Sequence, residues 1–599
     1  MYYYERTLNA MYSEDYSLTG GRLPLYSDGS GAGFIDLSKT EGETEAYKSL
    51  AAGGWNLRRS SVYSLAASLQ ARESGVFVKS SREVAVFRAD VPEFGTYKIE
   101  VTLTADAPVR NMSLFAGRRN LVNRGICLES GETFSRTFHV QITPYIPALT
   151  SVPKREAAVY ISFTGQNAGL SRVRITREDV PVLYIAGDST VTDQNAPAPY
   201  YPYGCGNGWA QDLAQYFDDI AVCNYAHSGL TTNCFRDDGH WDILKEYIRP
   251  GDTVLIQFGH NDQKRRNLAA FGGYINNLRW YVKQIRERGA FPVLCSPISR
   301  IPDTDADTGK PYSLLALHAL AVRVAAEELS VPFIDLHELT FSRWVSLGSA
   351  VHDYFNDGTH TNEYGGCLIA QFVADEIRRQ NIQPVAAAVS GVAPAAFTPD
   401  MDTKNLPEEP AGPGMFDIDL PYVDIAGVAQ YEGIKKAFRG GLLDPCVMHL
   451  HPKDVMPRAQ LLMVLFKALR LSGTRPYEGH FTDLGRYEWD SSFVQTCLNE
   501  DLIDPATVTE DLFRPDDPLT FEEFASFCER GMAEKEHRPE IDLAAAFSLA
   551  VKDKVVPESA DRTAPITRAD VYAGLARVME LLGNEDKALP KDAEIHPVG

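Results

Sequence analysis

The sequence is poor in positive charge, has no long apolar run, and has no cysteines at metal-binding spacing. Lys and Arg number 58 against 80 Asp and Glu, giving a formal charge of −22 over 599 residues. So acidic a chain repels phosphate backbones, which argues against nucleic acid as a partner. No stretch of about 18 uninterrupted apolar residues occurs, so no membrane span or membrane partner is expected. The nine cysteines run from Cys127 to Cys528, and none forms a CxxC pair. Neither a zinc site nor a redox motif is therefore expected. Nine is odd, so complete pairing within one chain is impossible, which leans toward a reducing compartment. The opening Met1-Tyr2-Tyr3-Tyr4-Glu5-Arg6 lacks a basic stretch followed by an apolar core, so it does not read as a signal peptide. Cytoplasm is the expected location, with cell surface or secretion as the alternative if a leader was removed. What remains is a globular composition, 44% hydrophobic and 23% charged, which excludes fibrous and wholly disordered classes. At roughly 100–200 residues per domain, three or four domains are expected.

Residues 1–178 are expected to form a β-sandwich. Val76-Phe77-Val78, Glu83 to Arg88, Tyr97 to Leu103, Phe134 to Ile142, Ala158 to Phe163 and Ser171 to Ile175 are short runs rich in β-branched and aromatic residues. Turn formers such as Ser130-Gly131 and Gly165-Gln166-Asn167 separate them. The run Phe87-Arg88-Ala89-Asp90-Val91-Pro92-Glu93-Phe94-Gly95-Thr96-Tyr97 resembles the strand–turn–strand of galactose-binding-like jelly rolls.

Residues 179–382 change character. Apolar runs at Leu183 to Ala186, Ile220 to Cys223, Thr253 to Phe258, Pro292 to Cys295 and Val331 to Ile334 alternate with helical patterns. The helical patterns are Trp209 to Phe217, Phe271 to Arg288, Ser313 to Leu329 and Cys367 to Arg379. This alternation predicts a parallel sheet with helices on both faces. Residues 383–414, rich in Pro, Ala and Gly, read as a linker. Residues 415–599 repeat: Asp424, Asp483 and Asp542 recur at a constant period of 59 residues, each opening a two-helix pattern.

Four short blocks carry the chemistry. Ser189, in Gly187-Asp188-Ser189, follows a buried strand, at the carboxyl edge where parallel sheets place their sites. Asp357 and His360 are spaced to share a hydrogen bond that fixes the imidazole while its other nitrogen takes a serine proton. Asn261, in Gly259-His260-Asn261-Asp262, puts an amide at the end of another strand, within reach of an oxyanion. Gly229, after Asn224-Tyr225-Ala226-His227-Ser228, lets a backbone N–H approach a ligand closely. Each block alone also reads as an ordinary turn.

Together and in this order, the blocks resemble the SGNH (GDSL-type) hydrolase family, over about residues 180–382, a third of the chain. Gly208-Trp209-Ala210-Gln211 and Asp357-Gly358-Thr359-His360-Thr361-Asn362 look like the rhamnogalacturonan acetylesterase branch. Cys205-Gly206-Asn207, before Gly208, departs from the usual pattern at the rim. The resemblance implies a three-layer, flavodoxin-like α/β fold. It further implies a serine esterase that removes O-acetyl groups from plant cell-wall polysaccharide or oligosaccharide, with pectic rhamnogalacturonan the expected substrate. Ser189 would be the nucleophile, His360 the base and Asp357 its orienting partner. The Ser189 and Gly229 N–H groups and the Asn261 amide would form the oxyanion hole. No metal or other cofactor is implied. For His260 two readings stand: a substrate contact at the cleft mouth, or support for the Asn261 loop. His352 and His227 read as structural.

The C-terminal repeats resemble S-layer homology modules. The matching stretches are Pro457-Arg458-Ala459-Gln460, Phe513-Arg514-Pro515 with Thr520-Phe521-Glu522-Glu523, and Thr567-Arg568-Ala569-Asp570. Only the first and third keep the Arg at the start of the second helix. The expectation is an α-rich module that packs or self-associates, with cell-wall polymer as the alternative ligand. The alternative for the whole chain is a cell-wall-attached surface protein with broader acyl-ester hydrolase activity.

Overall fold

The computed structural model describes residues 12–35, 55–57, 69–79, 84–146, 153–194, 196–198, 200, 205–305, 308–392, 394, 396–399, 420, 422, 424–443, 450–471, 477–485, 488, 490–509, 511–535, 541–585 and 587. The N-terminal hexapeptide and linker residues 400–414 lie outside them. Among the described residues no helix is long and apolar enough to cross a membrane.

The central region is built on five parallel strands in the order Phe333–Ile334, Phe291–Cys295, Thr253–Gln257, Val182–Gly187, Ala221–Asn224. The reason lies in the apolar runs: every residue of Val182–Gly187 is buried. Val182, Tyr184 and Ala186 face one helical layer, while Leu183 and Ile185 face the other. Strands covered on both faces read as continuous apolar segments. The last long helix, Glu363–Gln380, starts where the Asn362 side chain accepts from the N–H groups of Tyr364 and Gly365, at 3.0 and 3.3 Å. It stops at Asn381, which turns left-handed at φ 53°. Two predicted helices differ. The Phe271-to-Arg288 helix is regular only over Ile275–Arg286, because Gly272 takes a non-helical backbone inside a wide turn. Trp209–Tyr216 winds as a 3-10 helix.

The N-terminal region consists of two antiparallel sheets closed on a shared core of Phe87, Ile161 and Phe163 against Tyr97, Ile99 and Val101. One sheet runs Ala32–Phe34, Val84–Asp90, Ala158–Thr164, Val109–Ala116, Asn120–Leu128. Its last hairpin, Val109–Ala116 with Asn120–Leu128, is absent from the sequence expectation. The other runs from Leu69–Arg72 through Gly75–Val78, Ala168–Arg177 and Gly95–Ala105 to Thr133–Ile142. There it does not end. Thr133–Ile142 pairs in parallel with Ala221–Asn224, His139 opposite Ala221 and Val140 opposite Val222. One 11-stranded sheet therefore runs through both regions. The first sheet's outer face is also covered: Val84, Val86, Phe115 and Tyr160 pack with Ala196, Tyr200, Cys205 and Cys367 of the α/β region.

The C-terminal region has three helix pairs: Tyr431–Arg439 with Arg458–Leu469, Ser491–Asn499 with Phe521–Lys535, and Leu543–Lys552 with Arg568–Leu582. Two residues past each first helix the chain turns left-handed, at Gly441 with φ 76°, Asp501 with 52° and Lys554 with 61°. The segments leading into the second helices meet through the bridges Val455 to Thr567, Pro457 to Pro518 and Thr520 to Pro565. The repeated aspartates have a local reason. Asp424 accepts from the N–H groups of Leu450 and His451, and Asp483 from those of Phe513 and Arg514. Asp542 instead caps its own helix at Ala545.

Candidate active site

The strand Val182–Gly187 runs directly into the turn that carries Ser189. The Asp188 carboxylate accepts from the Thr190 N–H and hydroxyl, at 3.0 and 2.8 Å, which tightens that turn. Thr190 is held from behind by Gln257 Nε2 at 2.9 Å, and Gln257 accepts from the Trp209 indole at 2.8 Å. Gly208 must be glycine here, since a Cβ would lie 2.3 Å from the Thr192 carbonyl. The sequence blocks around Ser189 and Trp209 thus form one rigid support.

Ser189 Oγ lies 2.9 Å from His360 Nε2, and His360 Nδ1 lies 2.7 Å from Asp357 Oδ2. Asp357 Oδ1 also accepts from the Thr359 and His360 N–H groups, both at 2.6 Å. With the imidazole proton on Nδ1, facing Asp357, Nε2 is left to accept the serine proton. The pair sits two residues before the cap of Glu363–Gln380, so the helix start anchors it.

Gly229 has φ 79°, the left-handed region that glycine adopts without strain. The Asn261 amide donates to the Leu230 carbonyl at 3.1 Å, which ties the Gly229 turn to the Asn261 loop. Asn261 Oδ1 accepts from Lys264 at 3.3 Å. An amide has two N–H bonds, so the second is left for an oxyanion. Asn224 joins this turn to the nucleophile loop, donating to the Val191 carbonyl at 2.8 Å and Asp193 at 2.9 Å.

Of the two readings of His260, its burial disfavours the sugar contact. His260 is 1% exposed, with Nδ1 3.4 Å from Asp188 Oδ2. A ring this buried is poorly placed to touch a sugar and favours support of the Asn261 loop. Burial lowers its pKa and so favours the neutral ring. Burial also pushes Asp188 up, but His260 and the Thr190 donors outweigh it and hold the carboxyl below its ordinary value. Asp262 is wholly buried, and burial raises it to about 7 despite donation from Thr232. His227 is buried with its ring against His240, while His352 is exposed and outside the site.

Arg300 and Gln194 were missed by the sequence reading. The Arg300 guanidinium is buried, donates to the His260 carbonyl at 3.2 Å, and is lowered to about 10 by burial. Gln194 Nε2 donates to the Ser189 carbonyl at 3.1 Å. Neither lies in a recognisable motif, and only the fold brings Gln194 to the serine and Arg300 to the His260 backbone. Among the described residues no cluster of three or more His, Cys, Asp or Glu is placed to hold a metal ion.

Residues 185–366 match the GDSL-like lipase/acylhydrolase family. The rhamnogalacturonan acetylesterase RhgT of Bacillus subtilis is 32% identical over 212 residues, 33% of this chain and 88% of that protein. An uncharacterized esterase of the same organism, YxiM, is 28% identical over 310 residues, 49% of this chain and 75% of that protein. A rhamnogalacturonan acetylesterase of Emericella nidulans is 24% identical over 216 residues, 31% of this chain and 81% of that protein.

Proposed function

This chain belongs to the GDSL-like lipase/acylhydrolase family and is a carboxylic ester hydrolase; from that premise we propose that it removes O-acetyl groups from plant cell-wall carbohydrate, with pectic rhamnogalacturonan as the substrate. The observation that carries the mechanism is the unbroken hydrogen-bonded line from Ser189 through His360 to Asp357. The acetyl-sugar reading is supported by the relatives that act as rhamnogalacturonan acetylesterases.

In this mechanism Ser189 Oγ attacks the acetyl carbonyl as its proton passes to His360 Nε2, and Asp357 stabilises the imidazolium. The N–H groups of Ser189 and Gly229 and the Asn261 amide receive the oxyanion. Collapse breaks the ester C–O bond, and His360 protonates the departing sugar oxygen. Water, deprotonated by His360, then attacks the acetyl-serine and releases acetate. Ser189→Ala removes the nucleophile, and acetate release from acetylated pectin is expected to fall by about a thousandfold or more. Retained release refutes the assignment. Acetate release across acetylated pectins and xylans, and the rate ratio of acetyl to octanoyl model esters, test the substrate class.

The repeat module, on this reading, packs rather than grips wall polymer. Its two matching arginines are turned inward, Arg458 onto Glu523 and Arg568 onto the Leu450 carbonyl at 2.8 Å. Co-sedimentation with purified cell walls would overturn this part alone.

A further inference from the structure

Arg119 stands in an unusual backbone position. It ends the three-residue turn 117–119 between the strands Val109–Ala116 and Asn120–Leu128, with φ 62°. Glycine is the residue that such a left-handed hairpin position favours, and a larger side chain carries strain there. Arg119 is nonetheless 1% exposed, its guanidinium sunk into the neighbouring α/β region. A strained residue persists where its surroundings hold it, and strain of this kind gathers at working sites.

Its donors reach both halves of the catalytic apparatus. On the serine side, Nη2 donates to the Gln194 carbonyl at 2.9 Å and to Gln211 Oε1 at 3.0 Å. Gln194 in turn donates to the Ser189 carbonyl at 3.1 Å. On the histidine side, Nη2 donates to the Gly206 carbonyl at 3.0 Å, and Gly206 bridges Asn362. Nη1 pairs with Glu363, the first residue of the helix that begins three residues after His360. One planar guanidinium therefore joins the segment carrying the nucleophile to the segment carrying its base.

We infer that Arg119, a residue of the N-terminal sandwich, is a positioning residue for the esterase reaction, setting Ser189 against His360 through Gln194 and Glu363. The sandwich is then part of the catalytic unit rather than an appended binding module. A planar fork with several fixed donors is required, which an ammonium does not supply. Glu363 keeps other partners when Arg119 is replaced, since Arg124 donates to it at 2.5 Å and the Tyr200 hydroxyl also reaches it.

The inference rests on the serine-esterase reading, so the test includes both. Full-length Arg119→Gly relieves the turn and removes the guanidinium, while Arg119→Lys keeps the charge without the fork. Hydrolysis of a chromogenic acetyl ester is measured per reactive serine, counted with a fluorescent phosphonate. The expected result is a kcat per reactive serine lower by about ten- to a hundredfold in both variants, with KM within about twofold, since a misplacement near 1 Å costs about a hundredfold. A purely structural role would lower the number of reactive serines and leave kcat per serine unchanged, and that result overturns the inference. If Arg119→Gly does not fold, Gln194→Ala tests the same link from the other side, and an unchanged kcat there overturns it equally. Ser189→Ala in the same assay separates the two claims. Activity without Ser189 overturns both, whereas an inactive Ser189→Ala beside fully active Arg119 variants overturns only the role of Arg119.

Discussion

The α/β region is held at two interfaces of opposite character. The sandwich joins it by sheet pairing, by an apolar face, and by Glu363 buried between Arg119 and Arg124. The repeat module meets it at Arg266, which reaches Asp516 together with Glu488 at 3.5 Å and Asp490 at 3.7 Å. The side chain of Arg266 is 42% exposed, that of Asp516 63% and that of Glu488 41%, while that of Asp490 is buried at 2%. The difference is one of solvent. Charges removed from water must keep every partner, whereas charges left in water are screened and loosely committed. The sandwich interface therefore tolerates little change, and the repeat interface tolerates much.

The strongest way to break this comparison is at Glu363. Glu363→Ala leaves two buried guanidinium groups without their carboxylate, and about 3–5 kcal/mol of stability is expected to be lost in urea unfolding. A loss below about 1 kcal/mol would put the two interfaces in one class. The next effect is electrostatic. Burial raises Asp262, in the α/β region, to about 7 from an ordinary value of 3.8. Its folded form holds the proton while the unfolded form has lost it. The associated stability is fully present below about pH 4 and lost as pH rises through about 7. Asp262→Asn should flatten the fall in stability over that interval, as read from urea midpoints at several pH values, and an unchanged slope would reject the assignment. Smallest is Arg266→Ala. It removes an exposed pair with Asp516 and longer contacts with Glu488 and with the buried Asp490, whose carboxyl burial raises to about 7, so a change within about 1 kcal/mol and an unaltered kcat are expected. A large loss of activity would mean that the repeat module also shapes the site.

The sequence is legible wherever its signal is local. Ser189, Asn261 and the Asp357–His360 pair each sit in a short block at a strand end or before a helix cap, and the fold hydrogen-bonds Ser189 to the Asp357–His360 pair. The apolar runs at Val182–Gly187 and Thr253–Gln257 announce strands buried on both sides. Arg119 and Glu363 are illegible for the opposite reason: they are 244 residues apart, and each looks like a surface charge on its own. The hairpin carrying Arg119 was missed because its alternation is broken by Arg110, Asn111, Asn123 and Arg124, and its pairing register shifts. For His260 the sequence leaves two readings open, because adjacency to Asn261 says nothing about which side of a loop a ring turns to. The join between Thr133–Ile142 and Ala221–Asn224 has no turn to betray it.

That join has a consequence for how the protein is made. A ribosome delivers the sandwich first, and domains generally fold in that order as they emerge. The strand Thr133–Ile142 is then waiting, hydrogen-bonding groups outward, before Ala221–Asn224 is synthesised. The finished sandwich offers a template on which the newborn catalytic sheet can begin. A catalytic fragment expressed without it would carry a bare strand edge, the kind of surface on which chains stick to one another.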